Sequence, residues 1–139
     1  MAITPYLYYE DLGAALKFLS KAFGFRRYGR TMKGSDGKPN HAAIRLGDDI
    51  IMMGQPRSKY KNPRRLGQAT QSLYINIDNV DMRCEHARKA GATIVEEPVD
   101  TFYGHRRFVA EDPEGHQWCF AQEIQRHLVK KQAAGRSRK

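Results

Sequence analysis

Residues 102–122, FYGHRRFVAEDPEGHQWCFAQ, read as two strands joined by a tight turn, and that reading decides the fold. Asp112-Pro113-Glu114-Gly115 carries the turn chemistry, with proline presetting φ at the second position and glycine taking the positive φ at the end. The second arm alternates: His116, Trp118 and Phe120 fall on one face, Gln117, Cys119 and Ala121 on the other. A purely structural hairpin accounts for this pattern. The incoming arm adds Tyr103, His105, Arg106 and Arg107, which are poor core fillers and good contacts for a polar ligand.

Working outward, the same plan occurs twice. Ile3 to Tyr9 reads as a strand, and Glu10-Asp11 opens a helix through Ala22, with Asp11 placed to accept from its first free amides. Leu12, Ala15, Leu16, Leu19 and Phe23 form one apolar stripe, and Gly24 is a C-terminal cap. A strand from Phe25 to Met32 follows, then a turn at 34–37, then a hairpin of 41–46 and 50–54 across Gly47-Asp48-Asp49. In the second half, Ser72 to Ile77 alternates like a strand and Asp78-Asn79 opens a helix with Val80, Cys84 and Ala87 on one side. Gly91 ends that helix, and a strand at 92–96 precedes the 102–122 hairpin. YYEDLGAALKFLSKAFGF (8–25) thus parallels INIDNVDMRCEHARKAGATI (75–94), and HAAIRLGDDIIMMGQ (41–55) parallels RRFVAEDPEGHQWCFAQ (106–122). A pattern repeated at this scale means two copies of one supersecondary unit. The expected fold is α+β, two tandem βαβββ modules forming a curled mixed sheet around a central cleft. One domain spans 1–123, with module one at about 2–55, a linker at 56–71 and module two at about 72–123. The linker is polar and basic with two prolines, either a mobile flap or an arm on a partner subunit. Residues 124–139 form a basic tail expected to be flexible.

The 139 residues carry a formal net charge of +9. Six Lys/Arg lie after Glu123 and five between Pro56 and Thr70, without an acid in either stretch; these are eleven of the 24 basic residues, leaving 13 against 15 acidic. The folded body is therefore nearly neutral. No helix-turn-helix, zinc-finger or aromatic–basic RNA signature accompanies the basic runs, so nucleic acid, reached through the tail, ranks last among partners. No apolar run is long enough to span a bilayer, and the start, MAITPYLYYEDL, lacks the charge and apolar pattern of a leader. Cys84 and Cys119 show no ligand spacing, which suits a reduced, cytoplasmic chain.

The paired plan, with ITPYLYYEDLGAALKFL (3–19), HAAIRLGDDIIMMG (41–54) and FYGHRRFVAEDPEGHQWCFA (102–121), resembles the vicinal-oxygen-chelate superfamily over about residues 2–123. That group includes glyoxalase I, extradiol dioxygenases, fosfomycin-resistance proteins and bleomycin-resistance proteins. The resemblance implies two curled modules enclosing a ligand cleft, and a homodimer. It also implies four equivalent strand positions at which the metal enzymes place His or Glu; here they fall on Thr4, Met52, Ser72 and Cys119. Hydroxyl, thioether and a lone thiol do not make a divalent site, so neither metal nor other cofactor is expected.

Other residues can be asked to rebuild a centre. His41, His105 and Glu111 are candidates for an atypical metal site, and Cys119 with a nearby histidine for a nucleophile; His116, directly after the turn, reads as a strand-end surface residue. Strand parity is ambiguous around His105. Tyr6, Tyr8, Tyr74 and Tyr103 suit an aromatic cleft lining or ordinary sheet packing. The expected ligand-binding set is Tyr6, Tyr8, His41, Arg45, Tyr74, Tyr103, His105, Arg107 and Cys119, taking a small organic molecule, anionic or aromatic rather than cationic. The leading expectation is a metal-free binding protein; the alternatives are a lyase- or dioxygenase-type enzyme and a nucleic-acid-associated protein.

Overall fold

The structure, a computed structural model, describes residues 1–57 and 59–124. The flexible tail expected at 124–139 falls outside these residues beyond Ile124, whose amide donates to Gly104 O at 3.0 Å.

Both modules are present, as two four-stranded mixed sheets with helices between them. Module one runs β1 (Tyr6–Tyr8), α1 (Leu12–Phe23), β2 (Arg26–Lys33), β3 (Pro39–Leu46) and β4 (Asp49–Gly54). After a short α2 (Pro63–Leu66), module two runs β5 (Ser72–Asn76), α3 (Val80–Lys89), β6 (Thr93–Asp100), β7 (His105–Glu111) and β8 (Gln117–Glu123). The sheet orders, β1-β4-β3-β2 and β5-β8-β7-β6, are the same arrangement twice, each with one parallel pair. Among the described residues no helix is long and apolar enough to cross a membrane.

The repeat extends to single side chains. Gln55, at the end of β4, accepts from Leu12 N at 3.0 Å; Gln122, at the end of β8, accepts from Val80 N at 3.0 Å. Each module thus satisfies the start of its helix from its own last strand. Helix α1 has the expected caps: Asp11 Oδ1 accepts from Ala14 N, and Gly24 sits in the left-handed region. Helix α3 differs. Asn79, at φ 56°, makes no capping side-chain bond, so α3 has the glutamine bond to its first amide without the second acceptor that Asp11 gives α1.

The apolar stripes of α1 and α3 and the inner faces of both sheets meet in one core. Trp118, fully buried, packs against Phe23 and Phe25, joining β8 of module two to module one. The 112–115 turn seals the same junction. Asp112 is 1% exposed, and each of its oxygens accepts two hydrogen bonds. Oδ2 takes Tyr9 Oη at 2.6 Å and Trp118 Nε1 at 3.1 Å, while Oδ1 takes the amides of Glu114 and His116. Burial, and then the facing Asp112 carboxylate, push the Tyr9 phenol well above its usual pKa, so it remains a donor. The Glu114 carboxylate accepts from the amides of Glu10 and Asp11 and from Asn62 Nδ2.

The connector is anchored to its own chain. Asn62, buried, caps α2 by accepting from Arg65 N; Arg64 N donates to Glu114 O, Tyr60 Oη to Tyr8 O, and Arg65 pairs with Glu10. Asn62-Pro63 is a cap followed by proline at the first helical position, a start signal hidden in a run that reads as plain loop.

Candidate functional site

The outer faces of the two sheets carry the candidate ligand residues. On the first sheet Leu7, Ala42, Ile44, Ile51 and Met53 point into the core, which leaves Tyr6, Tyr8, His41, Ala43, Arg45, Ile50 and Met52 outward. Register arranges them in rows: Tyr6, Met52, Ala43 and Tyr28 in one; Tyr8, Gly54, His41 and Met32 in the next; Ile50, Arg45 and Arg26 in a third. Tyr6 Oη lies 2.9 Å from His41 Nδ1, the ring passing over Gly54. Gly54 leaves the room for it, because a Cβ there would stand 2.5 Å from that hydroxyl. Gly54→Ala should therefore leave stability within about 1 kcal/mol, since the exposed tyrosine tip can swing aside. It should abolish the Tyr6–His41 bond, read as altered His41 imidazole 15N chemical shifts by NMR; unaltered shifts would refute this geometry.

On the second sheet Tyr74, Cys119, Val109 and Glu96 form one row, and Asn76, Ala121, Arg107 and Val99 the next. Tyr74 Oη is 2.7 Å from His105 Nδ1 and 3.4 Å from Tyr103 Oη. Burial, then its bond with Tyr103, push the Tyr74 phenol up, keeping it neutral. Arg107 lies over Cys119, with Nη1 3.7 Å from Sγ and Nη2 3.6 Å from Glu96; its Nε is buried without a partner among the described residues. Burial pushes the Cys119 thiol up against the opposing pull of Arg107, so at neutral pH it is a thiol and a weak nucleophile.

Each sheet therefore places a tyrosine on its first strand, hydrogen-bonded to a histidine on its third. The register equates Tyr6 with Tyr74 and Met52 with Cys119, but it equates His41 with Arg107 rather than with His105. The nine expected residues fall into two groups: Tyr6, Tyr8, His41 and Arg45 on one sheet; Tyr74, His105, Arg107 and Cys119 on the other, with Tyr103 beside them in the β6–β7 loop. The tyrosine–histidine bonds stay within each group. Arg106, from the polar run on the incoming arm, does not join either group, because its guanidinium turns to the helix side to pair with Asp81 of α3 and with Asp100. His116 is half-buried, its Nε2 2.7 Å from Tyr8 O and its ring against Tyr9. Arg26 and Tyr28 also face outward and escape a reading of the sequence; consecutive residues of an edge strand declare their face only through the register. Tyr60 escapes it too. It packs edge-on to Tyr8, 5.8 Å between centroids, and burial pushes its phenol up to about 12.

The metal positions of the family do not suit a divalent cation here. Thr4 precedes β1, Met52 and Ser72 offer a thioether and a hydroxyl, and the guanidinium beside Cys119 adds like charge. Among the described residues no three His, Cys, Asp or Glu are grouped to hold an ion, and His41 lies on a different sheet from His105 and Glu111.

Comparison with known proteins agrees with the architecture. The family model for the Glyoxalase/Bleomycin resistance protein/Dioxygenase superfamily matches residues 3–120. An uncharacterized protein of Mycobacterium tuberculosis (strain ATCC 25618 / H37Rv) is 34% identical over 128 residues, covering 88% of this chain and 75% of the relative. The crystal structure of TioX from Micromonospora sp. ML1 superposes with a TM-score of 0.72 at 27% identity, over 89% of this chain and 99% of that one. The fosfomycin resistance protein FosX from Mesorhizobium loti shares the fold at a TM-score of 0.61 and 15% identity, over 88% of this chain and 91% of its own.

Proposed function

The chain belongs to the Glyoxalase/Bleomycin resistance protein/Dioxygenase superfamily, and from that premise we propose that it binds a small aromatic or conjugated anion without a metal. Its two outer sheet faces act as the walls of the cleft. The observation that carries this reading is the outward display of tyrosines, histidines and arginines on both faces. Tyr6 and Tyr74 are 43% and 45% exposed, each beside a histidine, with Arg45 on one wall and Arg107 on the other, paired with Glu96 but with its Nε partnerless among the described residues. Tyrosine offers flat apolar contact, and guanidinium a planar fork for carboxylate or phosphonate.

Within one chain the helices lie between the sheets, so the walls belong to different copies. In a homodimer the first-sheet face of one copy covers the second-sheet face of the other. Charge supports this pairing: the outward rows of the first sheet hold Arg26, His41 and Arg45 and no acid, whereas those of the second hold Glu96 and Glu111 against the single Arg107. The ligand is held between them, in the manner of a binding or sequestering protein. Catalysis of the lyase or dioxygenase kind has no support in the donor set described above.

The test is a calorimetric screen of matched anionic, neutral and cationic aromatics, repeated on Arg45→Ala and Arg107→Ala, with mass measured by light scattering. Dimers that prefer anions, with each substitution weakening binding roughly ten- to a hundredfold, are expected. A monomer, a cation preference, or binding indifferent to both arginines would overturn the reading.

A further inference from the structure

We infer that Arg26 and Arg45 together form an oxyanion subsite on the first sheet, and that this pair, rather than Arg45 alone, holds the charged group of the ligand. Arg26 and Arg45 are register partners across the antiparallel β2–β3 pair, so they stand directly opposite each other on one face. Side chains so placed have Cβ atoms about 4.5–5.5 Å apart, and like charges there destabilise the sheet. Neither guanidinium forms a hydrogen bond or ion pair with any described residue. Arg65, Arg88 and Arg106 are neutralised locally, by Glu10, by Glu97, and by Asp81 and Asp100. Arg27 and Arg30 are also without an ion pair among the described residues, but are not set opposite another arginine.

The pair also has space in front of it. A hollow of about 350 Å³ is lined by Gly24, Arg26, Arg45, Leu46, Gly47 and Asp48. Its two glycines add no side chains of their own: a Cβ on Gly47 would meet nothing within 4 Å, and one on Gly24 would stand 3.1 Å from Arg83 Nη1. Asp48 lies on the hairpin turn of the same hollow, yet pairs with neither arginine. A carboxylate, phosphate or phosphonate set between the two forks would accept from both and relieve their repulsion. The neighbouring row, Tyr28, Ala43, Met52 and Tyr6, then lies where the apolar body of such a ligand would rest.

This inference rests on the first sheet being a wall of the ligand cleft, but its first test, with inorganic phosphate, needs no aromatic ligand. Thermal unfolding is followed with inorganic phosphate, and binding by calorimetry with phenylphosphonate, at constant ionic strength set by chloride. The proteins are the full chain and its Arg26→Gln, Arg45→Gln, Arg107→Gln and Lys17→Gln forms; Lys17 is exposed on α1 and does not line the hollow. Phosphate is expected to stabilise the parent and Lys17→Gln alike. Arg26→Gln and Arg45→Gln should each weaken binding by roughly tenfold or more, and in chloride alone Arg26→Gln should be no less stable than the parent. An equal phosphate effect in Arg26→Gln, or an equal loss in Lys17→Gln, would overturn the subsite. If phenylphosphonate binding depends on Arg26 but not on Arg107, the subsite stands and the shared cleft fails. Dependence on Arg107 but not on Arg26 overturns the subsite and leaves the shared cleft standing.

Discussion

Replacing Asp112 with alanine should destabilise the protein by roughly 3 kcal/mol or more, the cost of orphaning buried donors around a fully desolvated position. The carboxylate receives Tyr9 Oη, Trp118 Nε1 and two backbone amides, so its loss leaves four donors short of an acceptor at the junction of both modules. Asp112→Asn is the sharper variant. Whichever way the amide is turned, its NH2 faces either the Tyr9–Trp118 pair or the two amides, placing donor against donor. Tyr9→Phe removes one donor and leaves three, so its cost should be about 1–2 kcal/mol. Urea denaturation with tryptophan fluorescence reads all three, because Trp118 is the single tryptophan and sits in the core. A cost below about 1 kcal/mol for Asp112→Ala would show that water or relaxation satisfies the site.

The second large effect is expected at Gly115. Its φ is +89°, and a Cβ added there would stand 2.7 Å from the backbone nitrogen of Arg64 and 3.2 Å from its Cα. Backbone cannot swing away as a side-chain tip can, so Gly115→Ala must push α2 off the turn and break the Arg64 N to Glu114 O bond. Gly67 is the internal control. It has a similar φ of +83°, but its added Cβ meets nothing within 4 Å. Gly67→Ala should cost only the left-handed penalty of about 1 kcal/mol, whereas Gly115→Ala should cost roughly 2–4 kcal/mol and increase protease cutting in the 56–71 connector. Equal costs at the two glycines would mean that α2 is not held by the turn.

Much of this fold can be read from local chemistry. The helix at Leu12–Phe23 is announced by its apolar stripe and by Asp11 and Gly24 at its ends, and the structure has the same helix with the same caps. The Asp112–Gly115 turn is likewise local, with Gly115 N returning to Asp112 O. Even the helix-capping glutamines are implicit in the repeat, since aligning 41–55 with 106–122 puts Gln55 opposite Gln122. Boundaries are less legible: β1 keeps only Tyr6–Tyr8 of the expected Ile3–Tyr9, and β6 runs on to Asp100.

What the sequence determined by itself, then, is the pair of modules, because capping, periodicity and turn preference act over a few residues and are written in consecutive side chains. Only the tertiary structure decided how the site residues are divided. His41 and His105 belong to different sheets, Arg106 is taken by α3, Arg26 is brought opposite Arg45, and a polar connector is pinned by Glu10 and Glu114. Those outcomes depend on strand register and on contacts between residues far apart in the chain. A shift of one residue in register would turn every such side chain to the other face, and no single strand carries the information that sets it.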